Sequence, residues 1–276
     1  MQRIEIHNLG ATKHFESEIR DFNIYIGEQA TGKSTISKCV FFFRLIKESI
    51  VDFLFKDVTE LESIKNKRFP SGMNHHVKNL FISLFGYSWD LDLNMNLCYS
   101  FTNDIYIQVA LNKGENNKKY ISITYSSLLL KSIEFFKADM MNKYINGSDL
   151  NFAFISNERA RIYQEITTFI NSLFEDATST YYIPAGRELL TLLSAQKTKI
   201  DYEALDLVNR RFMQFIESIQ EKFNMGLSKV HQYYPIPNRN FNVQIVAKQI
   251  IEDMKGEYVK YSDGEYILLG DGGRKN

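Results

Sequence analysis

The sequence predicts an α/β fold in which a mixed sheet is combined with an antiparallel β lobe and a helical insertion. Three observations support this fold class. A short β-rich run at 22–26 leads into a glycine-rich loop that is followed at once by a helical period. Residues 91–125 alternate between apolar and polar types, as half-buried antiparallel strands do. Residues 202–223 place apolar side chains three or four apart, which favours an amphipathic helix.

The composition is that of a globular chain large enough for one large domain or two small ones. Of its 276 residues, 44% are hydrophobic and 24% are charged. Basic and acidic residues number 33 each, so the formal net charge is zero and no overall field attracts nucleic acid or a membrane surface. Cys39 and Cys98 form no C-x-x-C pair, and reduced thiols of this kind are typical of a cytoplasmic protein.

The sequence also argues against a membrane partner. The first residues alternate as in a strand and do not have the pattern of a signal peptide. The most apolar run, residues 40–45, is much shorter than the roughly 20 residues that a helix needs to cross a bilayer. We therefore expect a cytoplasmic location.

The chain begins with a predicted hairpin that leads to the glycine-rich loop. Residues 3–7 alternate as a strand, and residues 15–19 are the expected partner strand. Residues 22–26 are a predicted strand of the main sheet, and a helix is expected from 34 to 55. These elements form a predicted core at 1–55. This order places four side chains near the loop, namely His7, Asn8, Lys13 and His14.

The remainder of the chain divides into a β lobe, a helical region and a final hairpin. The antiparallel β lobe is expected at 80–126 and the helical region at 127–230. The helical region includes a short strand within 181–187, and ligand groups of α/β proteins commonly follow such strands. The hairpin is expected at 257–273 around a D-G turn. We predict that all of these parts belong to one domain spanning 1–276.

The most specific motif of the chain lies at 27–35. It fits G-x-x-x-x-G-K-[ST] between a predicted strand and a predicted helix, which is the context that a phosphate-binding loop requires. Its residues, all candidates for nucleotide binding, are Gly27, Glu28, Gln29, Ala30, Thr31, Gly32, Lys33, Ser34 and Thr35. A chance match to the motif is the alternative, which the flanking elements make less favourable.

The residue types in this motif suit a bound nucleotide. Gly27 and Gly32 allow turns that point successive backbone N–H groups at an anion near a helix N-terminus. Lys33 is the candidate catalytic residue, because its ammonium group can bridge the β- and γ-phosphates. Ser34 is the candidate metal ligand for Mg²⁺, and Thr35 can reach the α-phosphate. The motif therefore predicts ATP and Mg²⁺ as cofactors.

A second segment, residues 182–187, reads Y-I-P-A-G-R. Together with residues 26–36 and the β lobe, it resembles the ABC-type ATPase heads of the SMC, RecF and OLD kind. More narrowly, it resembles the prokaryotic "AAA family ATPase" proteins with a Y-I-P-A-x-R motif, many of which act in phage defence or DNA maintenance. The resemblance covers most of the chain in order and implies a P-loop NTPase fold.

The resemblance also implies roles for individual parts of the chain. In that family the first half of the head carries the phosphate loop, the β lobe and a Q-loop region. The second half carries the signature motif, a Walker B aspartate with a catalytic glutamate, and a switch histidine. Arg187 lies where a Q-loop-like segment is expected, so the resemblance implies that it contacts phosphate or a partner subunit. The alternative is that Arg187 caps the helix that follows it.

The sequence departs from the family where the second half would be. No run of four apolar residues is followed by Asp-Glu, and no Ser-Gly-Gly-Gln-like signature is present. In relatives a hairpin like that at 258–269 comes shortly before the signature. We therefore expect this chain to be the N-terminal half of a head, with the C-terminal half missing, split off or separately encoded. Such a half should bind ATP and hydrolyse it weakly or not at all alone.

The resemblance implies a protein partner as well. In the family the composite site forms when two heads sandwich ATP, so the implied partner is a second head, either another copy or a different chain. Nucleic acid is a further partner that the resemblance leaves open. The residues alone do not indicate it, because basic and aromatic residues are not interleaved as on a nucleic-acid platform.

Two other functions are compatible with the motif. A small-molecule or nucleoside kinase of the P-loop class also uses a strand, a phosphate loop and a helix. It would need an acceptor site with a positioned carboxylate, and the β lobe directly after the first helix argues against it. A nonenzymatic nucleotide-binding regulatory protein is the second alternative, since the Walker B residues are absent from the sequence.

Overall fold

A computed structural model of the chain defines two compact units, Met1–Tyr182 and Ile183–Asn276. The single domain expected over 1–276 thus consists of two units in the structure. The structure describes residues 1–59, 69–87, 91–114, 118–146, 152–185, 205–223, 249, 251–253, 255–261, 264–269 and 274–275.

The first unit contains a five-stranded antiparallel sheet with the strand order β2-β1-β3-β4-β5. Its strands are β1 (Gln2–Leu9), β2 (Thr12–Ile19), β3 (Asn96–Ser100), β4 (Tyr106–Lys113) and β5 (Lys119–Tyr125). In β1, Ile4 and Ile6 are fully buried, whereas the intervening Glu5 and His7 are partly exposed. This alternation gives the sheet one apolar face for packing and one polar face towards solvent.

Four helices of the first unit belong to the part of the chain that the structure describes. They are α1 (Lys33–Thr59), α2 (Ser71–Phe85), α3 (Ser127–Met141) and α4 (Phe152–Leu173). The helix α3 begins after Ser126, whose hydroxyl accepts a hydrogen bond from the backbone N–H of Leu129, and a π-helical turn at Asn142–Asn146 follows it. Such a cap satisfies one of the free donors at the start of a helix.

The helix α1 packs against both the sheet and other helices. Its Phe43 ring stacks on Tyr99 of β3 with 5.4 Å between the ring centroids. Its Phe42 ring meets Phe81 of α2 edge-on at 5.6 Å. About half of its 27 residues are buried, which is far more than one stripe of a surface helix. The core of this unit therefore lies around α1.

The second unit contains a helix and a small sheet among its described residues. The helix α5 spans Leu207–Phe223 and buries Val208, Phe212 and Met213. The strands β6 (Gly256–Tyr261), β7 (Gly264–Leu269) and β8 (Arg274–Lys275) form a three-stranded antiparallel sheet. The two strands of the hairpin expected at 257–273 are β6 and β7, which pair in antiparallel orientation.

Two strands predicted for the main sheet are not strands in the structure. Residues 22–26 and 181–184 are not assigned to any sheet, and the five strands that do pair in the first unit are all antiparallel. The prediction of a mixed sheet around these two segments is therefore wrong for the described part of the chain. The physical reason is that residues with a high β-propensity form a strand only where a neighbouring strand completes the hydrogen-bond ladder.

A buried ionic cluster fixes the segment after α4 to α1. The Lys47 Nζ donates a hydrogen bond to the Asp176 backbone oxygen at 2.6 Å and lies 3.7 Å from the carboxylate Oδ2. The Arg44 Nε lies 3.9 Å from the same oxygen. The backbone N–H and the hydroxyl of Thr178 both donate to the other carboxylate oxygen. The Lys47 and Asp176 side chains are only 4% and 3% exposed, so water screens their charges poorly.

The environment of this cluster shifts the pKa values of both of its buried members. Burial raises the pKa of Asp176, but the hydrogen bonds from Thr178 and the charges of Lys47 and Arg44 outweigh burial and bring that pKa below its ordinary value. Burial lowers the pKa of Lys47, although the Asp176 charge opposes this shift. The carboxylate is therefore ionised at neutral pH and balances the cations around it.

We predict that Asp176→Ala destabilises the first unit by about 3 kcal/mol, because it leaves Lys47 buried without its counter-ion. The control is Asp104→Ala, whose carboxylate is exposed in the loop between β3 and β4 and should change stability by less than about 0.5 kcal/mol. Urea unfolding of both variants measures the difference. An equal effect of the two substitutions would show that the buried carboxylate contributes nothing to stability.

We also predict a pH dependence from the same carboxylate. The pKa of Asp176 is lower in the folded chain than its ordinary value, so its stabilising contribution is complete at neutral pH. That contribution is lost as the pH falls through the folded pKa, below about pH 4. The free energy of unfolding should therefore fall more steeply between pH 6 and pH 3 in the wild type than in Asp176→Asn. Parallel pH profiles for the two proteins would contradict this assignment.

Candidate functional site

The motif at 27–35 forms an exposed turn that ends in α1. Ala30 and Gly32 have φ angles of +63° and +96°, both in the left-handed region. Glycine adopts this conformation readily and alanine does so at a cost, so these two residues produce the sharp curl of the loop. The first backbone hydrogen bond of the helix joins the Ile36 N–H to the Gly32 oxygen at 3.0 Å. The loop therefore leads directly into a helix N-terminus, where free N–H groups attract anions.

The Lys33 side chain folds back over the loop. Its Nζ donates to the Gly27 oxygen at 2.7 Å and also to the Glu28 oxygen, and it lies 3.3 Å from the Thr31 Oγ1. The Thr31 hydroxyl in turn donates to the Glu28 oxygen at 2.9 Å. The ammonium group is thus held by neutral carbonyl oxygens at the loop. Phosphate oxygens are stronger acceptors for an ammonium group because they are charged.

The remaining motif residues lie in the loop and in the first turn of α1. Glu28, Gln29 and Ser34 are exposed, and Thr35 is half-buried. No group of three or more His, Cys, Asp or Glu side chains that could hold a metal ion occurs among the described residues. A hydroxyl in this position fits Mg²⁺, which commonly binds one or two protein oxygens together with phosphate oxygens and water.

The start of β2 contacts the loop, and sequence analysis missed this contact. Thr12 is only 6% exposed, and its hydroxyl has no hydrogen-bond partner among the described residues. A Cβ atom on Gly32 would overlap this hydroxyl and would lie 3.5 Å from the Thr12 Cβ. The alternation of a hairpin shows where a turn is, but it does not show which turn residue meets another part of the chain.

Three of the four side chains that the sequence placed near the loop make other contacts in the structure, and the fourth, Lys13, is exposed. The His7 Nε2 pairs with the Glu5 Oε1 at 2.7 Å, and the His7 and His14 rings lie 4.6 Å apart. The Asn8 side chain donates to the Asn94 backbone oxygen at 3.2 Å. The hairpin is therefore relevant to the candidate site because its residue Thr12 lies against Gly32 of the loop.

The segment that leads to Arg187 runs along α1. The Thr180 N–H donates to the Glu48 Oε1 at 3.3 Å, and the Tyr182 ring lies 5.4 Å from that of Phe41. Together with the Asp176 cluster, these contacts hold residues 176–182 beside the helix that begins at the loop. Arg187 itself lies outside the described residues, so its predicted role stays a prediction.

Comparisons with protein-family models, with curated proteins and with solved structures gave no match to this chain. The structure by itself shows an α/β arrangement of helices around a five-stranded antiparallel sheet. Along the part of the chain that it describes, no helix has the length and apolar character that crossing a bilayer requires.

We predict that Gly32→Ala destabilises the chain more than Gly86→Ala does. Both glycines have strongly positive φ angles, +96° and +87°, but a Cβ on Gly86 would meet nothing within 4 Å. Gly86→Ala is the control, and its free energy of unfolding should fall only by what a positive φ angle costs an alanine, about 1–3 kcal/mol. Gly32→Ala should lose at least about 1 kcal/mol more, because the Thr12 side chain must move. Urea unfolding tests this, and equal losses would mean that the Thr12 contact is loose.

Proposed function

We propose that this chain binds ATP with Mg²⁺ through residues 27–35. The observation that carries the proposal is the geometry of the loop. Two left-handed residues curl it, α1 begins directly after it, and the Lys33 ammonium is held against its carbonyl oxygens. Backbone N–H groups of a curled loop, a helix N-terminus and a cation beside them are together what a polyphosphate requires.

The residues of the motif have separate roles in this proposal. The loop N–H groups and the start of α1 bind the β-phosphate. Lys33 leaves the carbonyl oxygens and interacts with the β- and γ-phosphates, Ser34 contributes its hydroxyl to Mg²⁺, and Thr35 approaches the α-phosphate. Mg²⁺ supplies charge neutralisation between the phosphates. Arg187 is proposed to contact phosphate or a partner subunit.

We further propose that the chain acts as the phosphate-loop half of an ABC-type ATPase head of the SMC, RecF or OLD kind, in DNA maintenance or phage defence. A second head or another chain would then supply the Walker B and signature residues. Support comes from the order of the parts, because an antiparallel sheet and the helix of the loop share one core. Further support comes from residues 22–26, a segment next to the loop that exposes Phe22, Ile24 and Ile26 and that no described strand pairs with.

The first test is calorimetric titration of ATP with Mg²⁺ into the wild type and Lys33→Ala. Removing the ammonium should weaken binding about 10- to 100-fold, the worth of a hydrogen bond to a charged group, about 1.5–3 kcal/mol. Lys38→Ala, about one and a half turns further along α1, is the control and should bind as the wild type does. If the wild type does not bind ATP, the proposal is wrong.

Phosphate release should be followed in the same samples. We expect neither the wild type nor Lys33→Ala to release phosphate above the uncatalysed background, since the sequence lacks the Asp-Glu pair of a Walker B motif. Turnover by the wild-type chain alone, abolished in Lys33→Ala, would show that another carboxylate positions the water. ATP binding would then stand, and the half-head assignment would be refuted.

A further inference from the structure

The Thr12 hydroxyl is a buried polar group without a partner. It is more than nine-tenths buried and makes no hydrogen bond to any described residue. Native proteins satisfy nearly all buried polar groups, because an unpaired group loses its bonds to water and gains nothing in return. A side chain of this kind beside a ligand-binding loop indicates that its partner is acquired in another state of the loop.

The position of Thr12 is fixed by the sheet. It begins β2 and pairs with Leu9 across the hairpin, where Leu9 is itself buried. The turn between them includes Gly10, with a φ angle of +57°. The hydroxyl oxygen lies so close to the position that a Cβ of Gly32 would take that the two atoms would overlap, so it faces the loop at the residue directly before Lys33.

Nucleotide binding would change the surroundings of this hydroxyl. In the structure Lys33 is bonded to the carbonyl oxygens of Gly27 and Glu28. If Lys33 turns towards phosphate, the exposed Gly27 and Glu28 oxygens can bond to water instead, and the loop backbone is no longer held in its present position by these bonds. A threonine hydroxyl both donates and accepts, so it suits either a carbonyl oxygen or an N–H group of the loop.

We propose that Thr12 is a positioning residue that couples nucleotide occupancy of the loop to the β1–β2 hairpin. Its hydroxyl gains a hydrogen bond to the loop backbone in the nucleotide-bound state and thereby stabilises that state. This inference rests on the proposed binding of ATP. It extends that function, because it makes the hairpin at the edge of the sheet respond to the nucleotide.

The experiment compares Thr12→Val, which keeps the shape and removes the hydroxyl, with Thr12→Ser, which keeps the hydroxyl. Thr12→Val should bind ATP with Mg²⁺ about three- to tenfold more weakly than the wild type, the worth of one neutral hydrogen bond. Thr12→Ser should bind within about twofold of the wild type. Thr124→Val, on the exposed face of β5, is the control and should change nothing.

Two further readouts separate positioning from simple packing. Urea unfolding without nucleotide should show Thr12→Val to be at least as stable as the wild type, because an unpaired buried hydroxyl is replaced by a methyl group. Amide hydrogen exchange at residues 9–13 should slow when ATP is added to the wild type, and this slowing should be absent in Thr12→Val. If Thr12→Val does not fold, amide hydrogen exchange in the wild type with and without ATP still tests the coupling.

The outcomes distinguish this inference from the function on which it rests. If the wild type binds ATP, Lys33→Ala does not, and Thr12→Val binds as tightly as the wild type, the coupling is wrong and ATP binding stands. Unchanged exchange at residues 9–13 in ATP-bound wild type also overturns the coupling. If the wild type binds no ATP, both proposals fail together.

Discussion

The packing of α1 is the constraint on which the rest of the first unit depends. This helix contacts the sheet through Phe43 and α2 through Phe42, and its Arg44 donates a hydrogen bond to the Gln2 side chain of β1 at 3.0 Å. Because it is enclosed in this way, its first turn has a defined position. A loop of backbone N–H groups can select an anion only if the helix behind it does not move.

The buried charges on α1 add specificity to this packing. Apolar residues at the positions of Arg44 and Lys47 would bury surface equally well, and a buried ion pair is often no more stable than such a replacement. What the ions provide is a set of directional contacts, in which Asp176 meets both Lys47 and the Thr178 donors. The segment 176–182 is thereby held beside the helix that starts at the loop.

The sequence predicted those features that depend on local pattern. Alternation predicted strands where β1, β2, β4 and β5 lie, and apolar spacing predicted α1 and α5, because both signals arise within a few neighbouring residues. The alternation at 91–97 overlaps β3 only at Asn96 and Leu97, since residues 91–95 are not in a strand. Local pattern also predicted strands at 22–26 and 181–184, where no described strand lies alongside. The loop was recognised from its glycines and Lys33. The role of Thr12 was not, because its contact with Gly32 joins parts of the chain whose approach only the folded sheet determines.

The segment at 22–26, directly before the loop, is relevant both to nucleotide binding and to partner binding in the proposed function. Phe22, Ile24 and Ile26 expose 80%, 67% and 93% of their surface, whereas the intervening Asn23 and Tyr25 are half-buried. Exposed apolar side chains close together are costly in water, and a partner chain that covered them would remove that cost. The next residue is Gly27, the first of the loop. A chain that covered this segment would contact the backbone next to the proposed phosphate-binding loop, so under the proposed function partner binding and nucleotide binding would favour each other.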